Sequence, residues 1–335
     1  MISSERVPTS IKDILRPFMN PRIPRSISER FKHLDQQGMS LVEASLRENY
    51  FTQEDAWSCA EYLSSDQGQR DLADHLYRRL DAFRNTVIPW LSSARPLSGS
   101  RILEIGCGTG SSTVALAEQG ADVTAVDVLQ SSLVVARERC DAYGLDVKFL
   151  CANATEVHKL LGSQHFDFII FFAALEHMTH DERMRAMRST WDMLALGSLW
   201  CVTETPNRLW YFDGHTSQLP FYLWLPDDLA FSYSQFSPRE RFRDLYRKAD
   251  DDSRLDFLRR GRGVSFHEFE LTMKRAVELD VVSSMPVFLR TQRLLRRAAW
   301  SLTTSRRFES LLMWCGPRIH RGFYQESLDL IIRKD

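Results

Sequence analysis

The stretch Leu103 to Ser112, LEIGCGTGSS, constrains the fold of this chain more than any other ten residues. Gly106, Gly108 and Gly110 follow a short apolar run and precede a run with helical character. Glycine allows a sharp backbone turn and lets a ligand approach without meeting a Cβ. A helix that starts immediately afterwards adds unpaired N–H groups and a partial positive charge. The chain has 15 glycines in 335 residues, so three within five positions is a local signal and not a reflection of composition.

Around this loop, strand-like and helix-like runs alternate. Arg101 to Ile105, Asp122 to Val126, Val147 to Cys151, Phe166 to Phe172 and Leu199 to Glu204 read as strands. Ser111 to Gln119, Ser131 to Tyr143 and Asp181 to Leu194 read as helices. Such alternation predicts a parallel sheet with helices on both faces. Residues 1–97 read as a helical extension, with helices over Ser40 to Glu48, Thr52 to Leu63 and Asp71 to Ile88, the last ended or kinked by Pro89. Residues 98–205 form the core, and residues 206–263 interrupt it as an aromatic-rich cap. Residues 264–335 complete the core with a helix at Ser265 to Leu279, a strand at Val281 to Met285, an Arg-rich helix at Pro286 to Arg307 and a last antiparallel strand at Phe323 to Ile332. The expected fold is α/β: a doubly wound, mostly parallel seven-stranded sheet, with an N-terminal helical extension and a helical cap after the fifth strand.

Two ligands compete for the glycine loop. A dinucleotide asks for a third small residue at the position held here by Ser111. The spacing is instead GxGxG, preceded by Glu104. This resembles motif I, (D/E)xGxGxG, of the class I S-adenosylmethionine (SAM) methyltransferases. The resemblance continues in order with Asp127 after the second strand, CANATEV after the third, FDFIIFFAALEH at the fourth and LALGSL before the fifth. It implies SAM as the cofactor. It further implies that Glu104 bonds the loop backbone or the SAM amino group, and that Gly106 and Gly108 border the methionine part, with Gly110 completing the motif. Asp127 would hold the ribose hydroxyls, Asn153 and Ala154 would flank the adenine, and Ala173 would border the cofactor and, with Ala174, leave room for an acceptor.

Methyl transfer needs a nucleophile held in line with an activated methyl group, and an oxygen or nitrogen nucleophile is helped by a base. Glu176 and His177, ending FDFIIFFAALEH, resemble the Glu-His pair of several O-methyltransferase families. Some of those bind a divalent ion through ExxEH. Here Ala173 holds the first position, so no metal site is expected. The structural alternative for Glu176 and His177 is a cap on the next helix. Asp213 and His215 flank Gly214 after the fifth strand, which would turn both to one side, with His215 as a base. Their structural alternative is to pin the loop. A two-carboxylate, two-histidine cluster of these four residues is allowed by ligand type alone. The surrounding PN…D-x-HT…LPF…WLP stretch resembles a group of bacterial class I methyltransferases. Most of the cap aromatics, Trp210 through Phe236, are expected to form the cap's own core.

Lys+Arg is 43 and Asp+Glu 44, giving a net charge of -1, which disfavours a nucleic-acid partner. No CxxC pattern joins the six cysteines, and no leader-like apolar run opens the chain, so a reduced, cytoplasmic protein is expected. The leading expectation is a SAM-dependent methyltransferase acting on an oxygen of a small molecule, sugar or lipid-linked glycan. N-methylation or RNA ribose methylation is the alternative within enzymes, although the fourth strand lacks an NPPY-type motif. A non-catalytic SAM-binding partner is the alternative outside them. The arginines from Arg290 to Arg321 suit either peripheral membrane contact or a solvated basic face.

Overall fold

A computed structural model describes residues 23–51, 59–292 and 304–335. Seven strands form one sheet: β1 Arg101–Ile105, β2 Asp122–Asp127, β3 Lys148–Cys151, β4 Phe168–Phe172, β5 Leu199–Pro206, β6 Asp280–Ser284 and β7 Ser327–Arg333. Their order is β3-β2-β1-β4-β5-β7-β6. The first five pair in parallel, and β7 runs antiparallel between β5 and β6. The strand order reverses at β1, so the carboxyl ends of β1 and β4 border the crevice where open α/β sheets bind ligands. Every residue of β4 is buried, as its unbroken apolar run requires in a sheet covered on both faces.

The helices take their positions from caps and apolar spacing. In the extension, α1 spans Gln36–Ser45 behind an Asp35 N-cap, earlier than its apolar pattern alone suggests. A long helix, α2, runs over residues 66–94 in α and π stretches, capped by Ser65. Pro89 does not end α2. The π stretch Phe83–Val87 widens the helix before the ring, and a further α stretch continues to Ala94. Helices α3 Ser111–Ala117 and α4 Gln130–Ala142 follow β1 and β2. Helix α5 His180–Met193 carries a Thr179–Glu182 capping box, so Thr179 caps it and not Glu176 or His177.

The cap holds α6 Asp227–Tyr233, α7 Glu240–Lys248 and α8 Asp251–Leu258. Tyr222, Phe231, Phe242 and Phe257 form its core with Leu219, Leu223 and Leu245. Of the nine aromatics from Trp210 to Phe236 expected mostly in this core, Tyr222 and Phe231 join it and Tyr233 packs against it, while Phe212, Phe221, Trp224 and Phe236 are exposed. Beyond the cap, α9 Phe266–Thr272 is shorter than predicted. Within the Arg-rich segment the described residues include helical stretches α10 Met285–Gln292 and α11 Thr304–Cys315. Arg290 and Arg321 both meet Glu309, at 3.4 and 3.1 Å. Arg293, Arg296 and Arg297 lie outside the described residues, as do most of the Thr52 to Leu63 segment and the start of the Pro21 to Arg25 loop. No helix among the described residues is long and apolar enough to cross a membrane.

The extension docks on the core through buried charge. Arg84 meets Glu118 at 2.6 Å, both nearly fully buried. Arg139, on α4, is fully buried and donates to the carbonyls of Thr109, Leu76 and His75. It therefore ties the glycine loop to α2. His75 contacts the Thr109 hydroxyl at 3.2 Å. Burial holds its pKa down at about 3, so its imidazole is neutral at physiological pH.

Candidate active site

The glycine loop leaves β1 at Ile105 and enters α3 at Ser111. Its three glycines do different work. A Cβ on Gly106 would stand 2.7 Å from the Ala174 Cβ, and one on Gly110 would stand 2.9 Å from the Ala136 Cα. These two are small because neighbouring backbone is close. Gly108 has φ +50 and nothing within 4 Å of a Cβ, so it faces open space. Its N–H donates to Asp127 Oδ2 at 2.8 Å, and Asp127 Oδ1 accepts from Leu129 N–H at 2.9 Å. The Asp127 carboxylate thus sits beside the open part of the loop, only partly buried.

Glu104 is fully buried and accepts hydrogen bonds from the Ser112 and Thr113 hydroxyls in the first turn of α3. Both bonds come from side chains of the α3 first turn and not from the loop backbone. Burial raises the Glu104 pKa to about 7 against the two hydroxyl bonds that lower it. The folded group keeps its proton above the unfolded pKa of 4.5, so stability is full below that pH and falls as pH rises toward 7. We expect Glu104→Gln to remove a destabilisation of about 3 kcal/mol at pH 8 and to leave stability at pH 4 nearly unchanged. Chemical unfolding at the two pH values measures this, and an equal change at both would refute it.

Asn153 and Ala154 follow β3. Asn153 Oδ1 accepts from Thr155 N–H and hydroxyl at 2.9 and 2.8 Å, which organises the turn. Ala154 is buried in the main apolar cluster. Ala173 follows β4 directly with φ +42, and its N–H donates to Thr203 O. A non-glycine residue with positive φ is strained and marks a position fixed by its surroundings.

Past Ala173 the chain makes one tight turn, Leu175–His177. Glu176 is fully buried. Its Oε2 accepts from Thr205 Oγ at 3.1 Å, while Oε1 has no hydrogen-bond partner. His215 Nε2 lies 3.9 Å from that Oε1. His177 is exposed, and its Nδ1 pairs with Arg259 O at 2.8 Å, which leaves Nε2 free. One donor atom each from Glu176, His177 and His215 fall within 4.8 Å of one another.

Three of the four expected catalytic side chains therefore meet, and the fourth does not join them. Asp213 is 1% exposed and accepts from the N–H and hydroxyl groups of Thr216 and Ser217. It pins its own loop. Gly214 does not turn both neighbours to one side, since its φ is not positive. The glycine this arrangement depends on is Gly261, whose Cβ would fall 2.0 Å from Thr216 Cγ2 and whose N–H donates to Glu176 O.

Glu204 and Asp329 were not apparent from the sequence as site residues. Glu204, two residues before the end of β5, has φ +59 and lies within the register shift between Val202 and Thr205. Its N–H donates to Asp329 Oδ1 at 2.8 Å. Its side chain reaches solvent but lies within the cleft walls, where burial and the nearby Glu176 raise its pKa while Arg79 and His215 lower it. Burial pushes Asp329 up to about 6. The signal for Glu204 was its place at the carboxyl end of a parallel strand. Asp329 had only a position in the middle of the last strand.

Residues 102–197 match the family model described as a methyltransferase domain. Over this stretch the chain is similar to methyltransferase domains. A ubiquinone biosynthesis O-methyltransferase of Ruegeria pomeroyi is 29% identical over 160 residues, 48% of this chain and 62% of that protein. A putative methyltransferase of Geobacillus sp. (strain WCH70) is 32% identical over 106 residues, 31% of this chain and 42% of that protein. These matches span less than two thirds of either relative's length. Magnesium protoporphyrin IX methyltransferase from Synechocystis PCC 6803, solved with SAM, is 20% identical and covers 52% of this chain and 79% of its own, with a TM-score of 0.36. The glycine loop, Asp127, Asn153, Ala173, Glu176 and His177 all lie in the matched part of the chain, whereas His215 and Glu204 lie beyond it.

Proposed function

We propose that the chain is a SAM-dependent methyltransferase that methylates an oxygen of a small organic acceptor. The observation that carries this reading is the junction of Asp127 with Gly108, a carboxylate fixed beside glycine backbone that faces open space. The cofactor fits there. Asp127 keeps unused lone pairs for two ribose hydroxyls, the loop and the start of α3 suit the methionine part, and Asn153 and Ala154 stand at the end of β3 for the adenine. When bound, SAM supplies an electrophilic methyl group. Ala173 and Ala174 leave room for the acceptor oxygen to approach it in line.

Glu176 Oε1 takes the proton of the acceptor hydroxyl as the oxygen–carbon bond forms and the carbon–sulfur bond breaks. His215 faces that oxygen and stabilises its charge. Asp213 and Gly261 set the position of His215 through the loop. Glu204 supplies a second carboxylate at the mouth of the cleft, and the names of the relatives support an oxygen acceptor over nitrogen or RNA.

A second reading is favoured by the convergence of Glu176, His177 and His215. Two imidazoles and one carboxylate suit a divalent transition metal, and the His177 Nδ1 bond to a carbonyl is the kind that orients a ligating histidine. In that reading these three residues would hold the ion, which would supply a Lewis acid beside the acceptor.

Release of S-adenosylhomocysteine tests the proposal, using phenolic, catecholic and sugar acceptors and a small-molecule extract. The expected result is turnover dependent on a hydroxylated acceptor. Tight SAM binding without product from any of them would leave a non-catalytic SAM-binding protein.

A further inference from the structure

A second cavity carries a cation for which the described residues supply no counter-ion. It lies between the start of the cap, the amino end of α5, helix α9 and helix α11, and it encloses ≈ 540 Å³. That size falls within the range of small-molecule pockets. Its walls are largely apolar, with Leu209, Trp224, Leu271, Phe308, Leu311 and Leu312. Trp224 stacks on Phe308 with ring centroids 6.2 Å apart. Leu271 and Leu311 are 60% and 51% exposed, so apolar surface is left open to water here.

Arg208 stands half-buried in this wall. Its backbone N–H donates to Val264 O, but its guanidinium has no hydrogen bond or ion pair among the described residues. The one carboxylate in the wall is committed elsewhere. Glu268 accepts from Ser265 N–H and hydroxyl and meets the buried Arg183 at 3.5 Å. His180 and His267 also line the cavity. An unpaired guanidinium against apolar walls is costly, and a planar oxyanion relieves it through two parallel hydrogen bonds.

We propose that this cavity binds an amphipathic anion, with its oxyanion head on Arg208 and its apolar body along Trp224, Phe308 and Leu311. The site shares no residue with the Glu176 cleft and does not depend on methyl transfer. The head is a carboxylate or a phosphate, since both fit a guanidinium.

Calorimetric titration of the full chain with decanoate, decyl phosphate and 1-decanol tests the proposal. Decanoate or decyl phosphate should bind at least about tenfold more tightly than decanol, the preferred head naming the ligand's source. Arg208→Met keeps the apolar stem and removes the charge. It should weaken binding of the preferred anion about tenfold or more and leave decanol and SAM binding unchanged. Absence of anion binding, or an Arg208→Met chain that binds the anion as tightly as wild type, overturns the proposal. So would a concentration-dependent dimer, dissolved by Leu311→Glu, in a chain that takes up none of the three ligands; the occupant would then be a second copy.

Discussion

Asp127→Ala should weaken SAM binding about a hundredfold or more, measured by calorimetry on the purified chain. The carboxylate is asked to accept from two ribose hydroxyls, and each hydrogen bond to a charged acceptor contributes roughly 1.5–3 kcal/mol. It also accepts from Gly108 N–H at 2.8 Å and Leu129 N–H at 2.9 Å, so its loss frees the loop that SAM needs in place. Asp127→Asn separates the two effects. The amide keeps one acceptor oxygen for the Gly108 N–H but loses the charge and one ribose acceptor, so its affinity should fall between wild type and Asp127→Ala. Wild-type affinity in Asp127→Ala would place the cofactor elsewhere.

The second large effect is on the chemical step. Glu176→Gln should lower kcat by roughly two to four orders of magnitude while leaving the Kd for SAM within a few fold. Glutamine retains the acceptor for Thr205 Oγ and fills the same buried space, so the fold is expected to stand. What is lost is the one oxygen in this cleft that is fully buried, unpartnered and 3.9 Å from His215. A chelator arm divides the two readings of the site. Loss of wild-type activity with EDTA, restored by Mn²⁺ or Zn²⁺, supports an ion at Glu176, His177 and His215. Unchanged activity supports Glu176 as the base alone. An undiminished kcat in Glu176→Gln removes Glu176 from the chemistry under either reading.

Much of the core was legible because its signals are local. β1 runs over Arg101–Ile105, where the apolar run before the glycines put it, and the helices after β1 and β2 end near Gly120 and Gly144, both at positive φ. The last strand, expected antiparallel from its partial alternation over Phe323 to Ile332, is antiparallel but begins at Ser327, after a 3-10 turn at Arg321–Tyr324. What was missed depends on contacts between distant segments. Pro89 reads as a helix end or kink, and the helix continues through it within α2 behind a π stretch. Glu104, expected to bond the loop backbone or the SAM amino group, accepts instead from the hydroxyls of Ser112 and Thr113 within the protein. Asp213 and His215 are two residues apart and point to different tasks, because Thr216 and Ser217 offer Asp213 four donors of its own. Gly261 matters only because Thr216 comes to rest against it, 45 residues away in sequence. Glu204 looked like an ordinary strand end until its backbone showed a left-handed turn held by Asp329 from a strand 125 residues later.

Arg139 gives the loop a second master. Its three acceptors divide between Thr109 in the glycine loop and His75 and Leu76 in α2, and the ion is fully buried. Glu118, at the end of α3, is likewise shared with Arg84 and with the Lys32 backbone. Removing the N-terminal helices would strand a guanidinium and a carboxylate on the surface exposed by the cut, each shaped to be dry. The free energy of seating a ligand on Thr109 and its neighbours is therefore shared with α2. A substitution on the extension, far from any reacting atom, can change cofactor affinity through the peptide carbonyls that Arg139 holds.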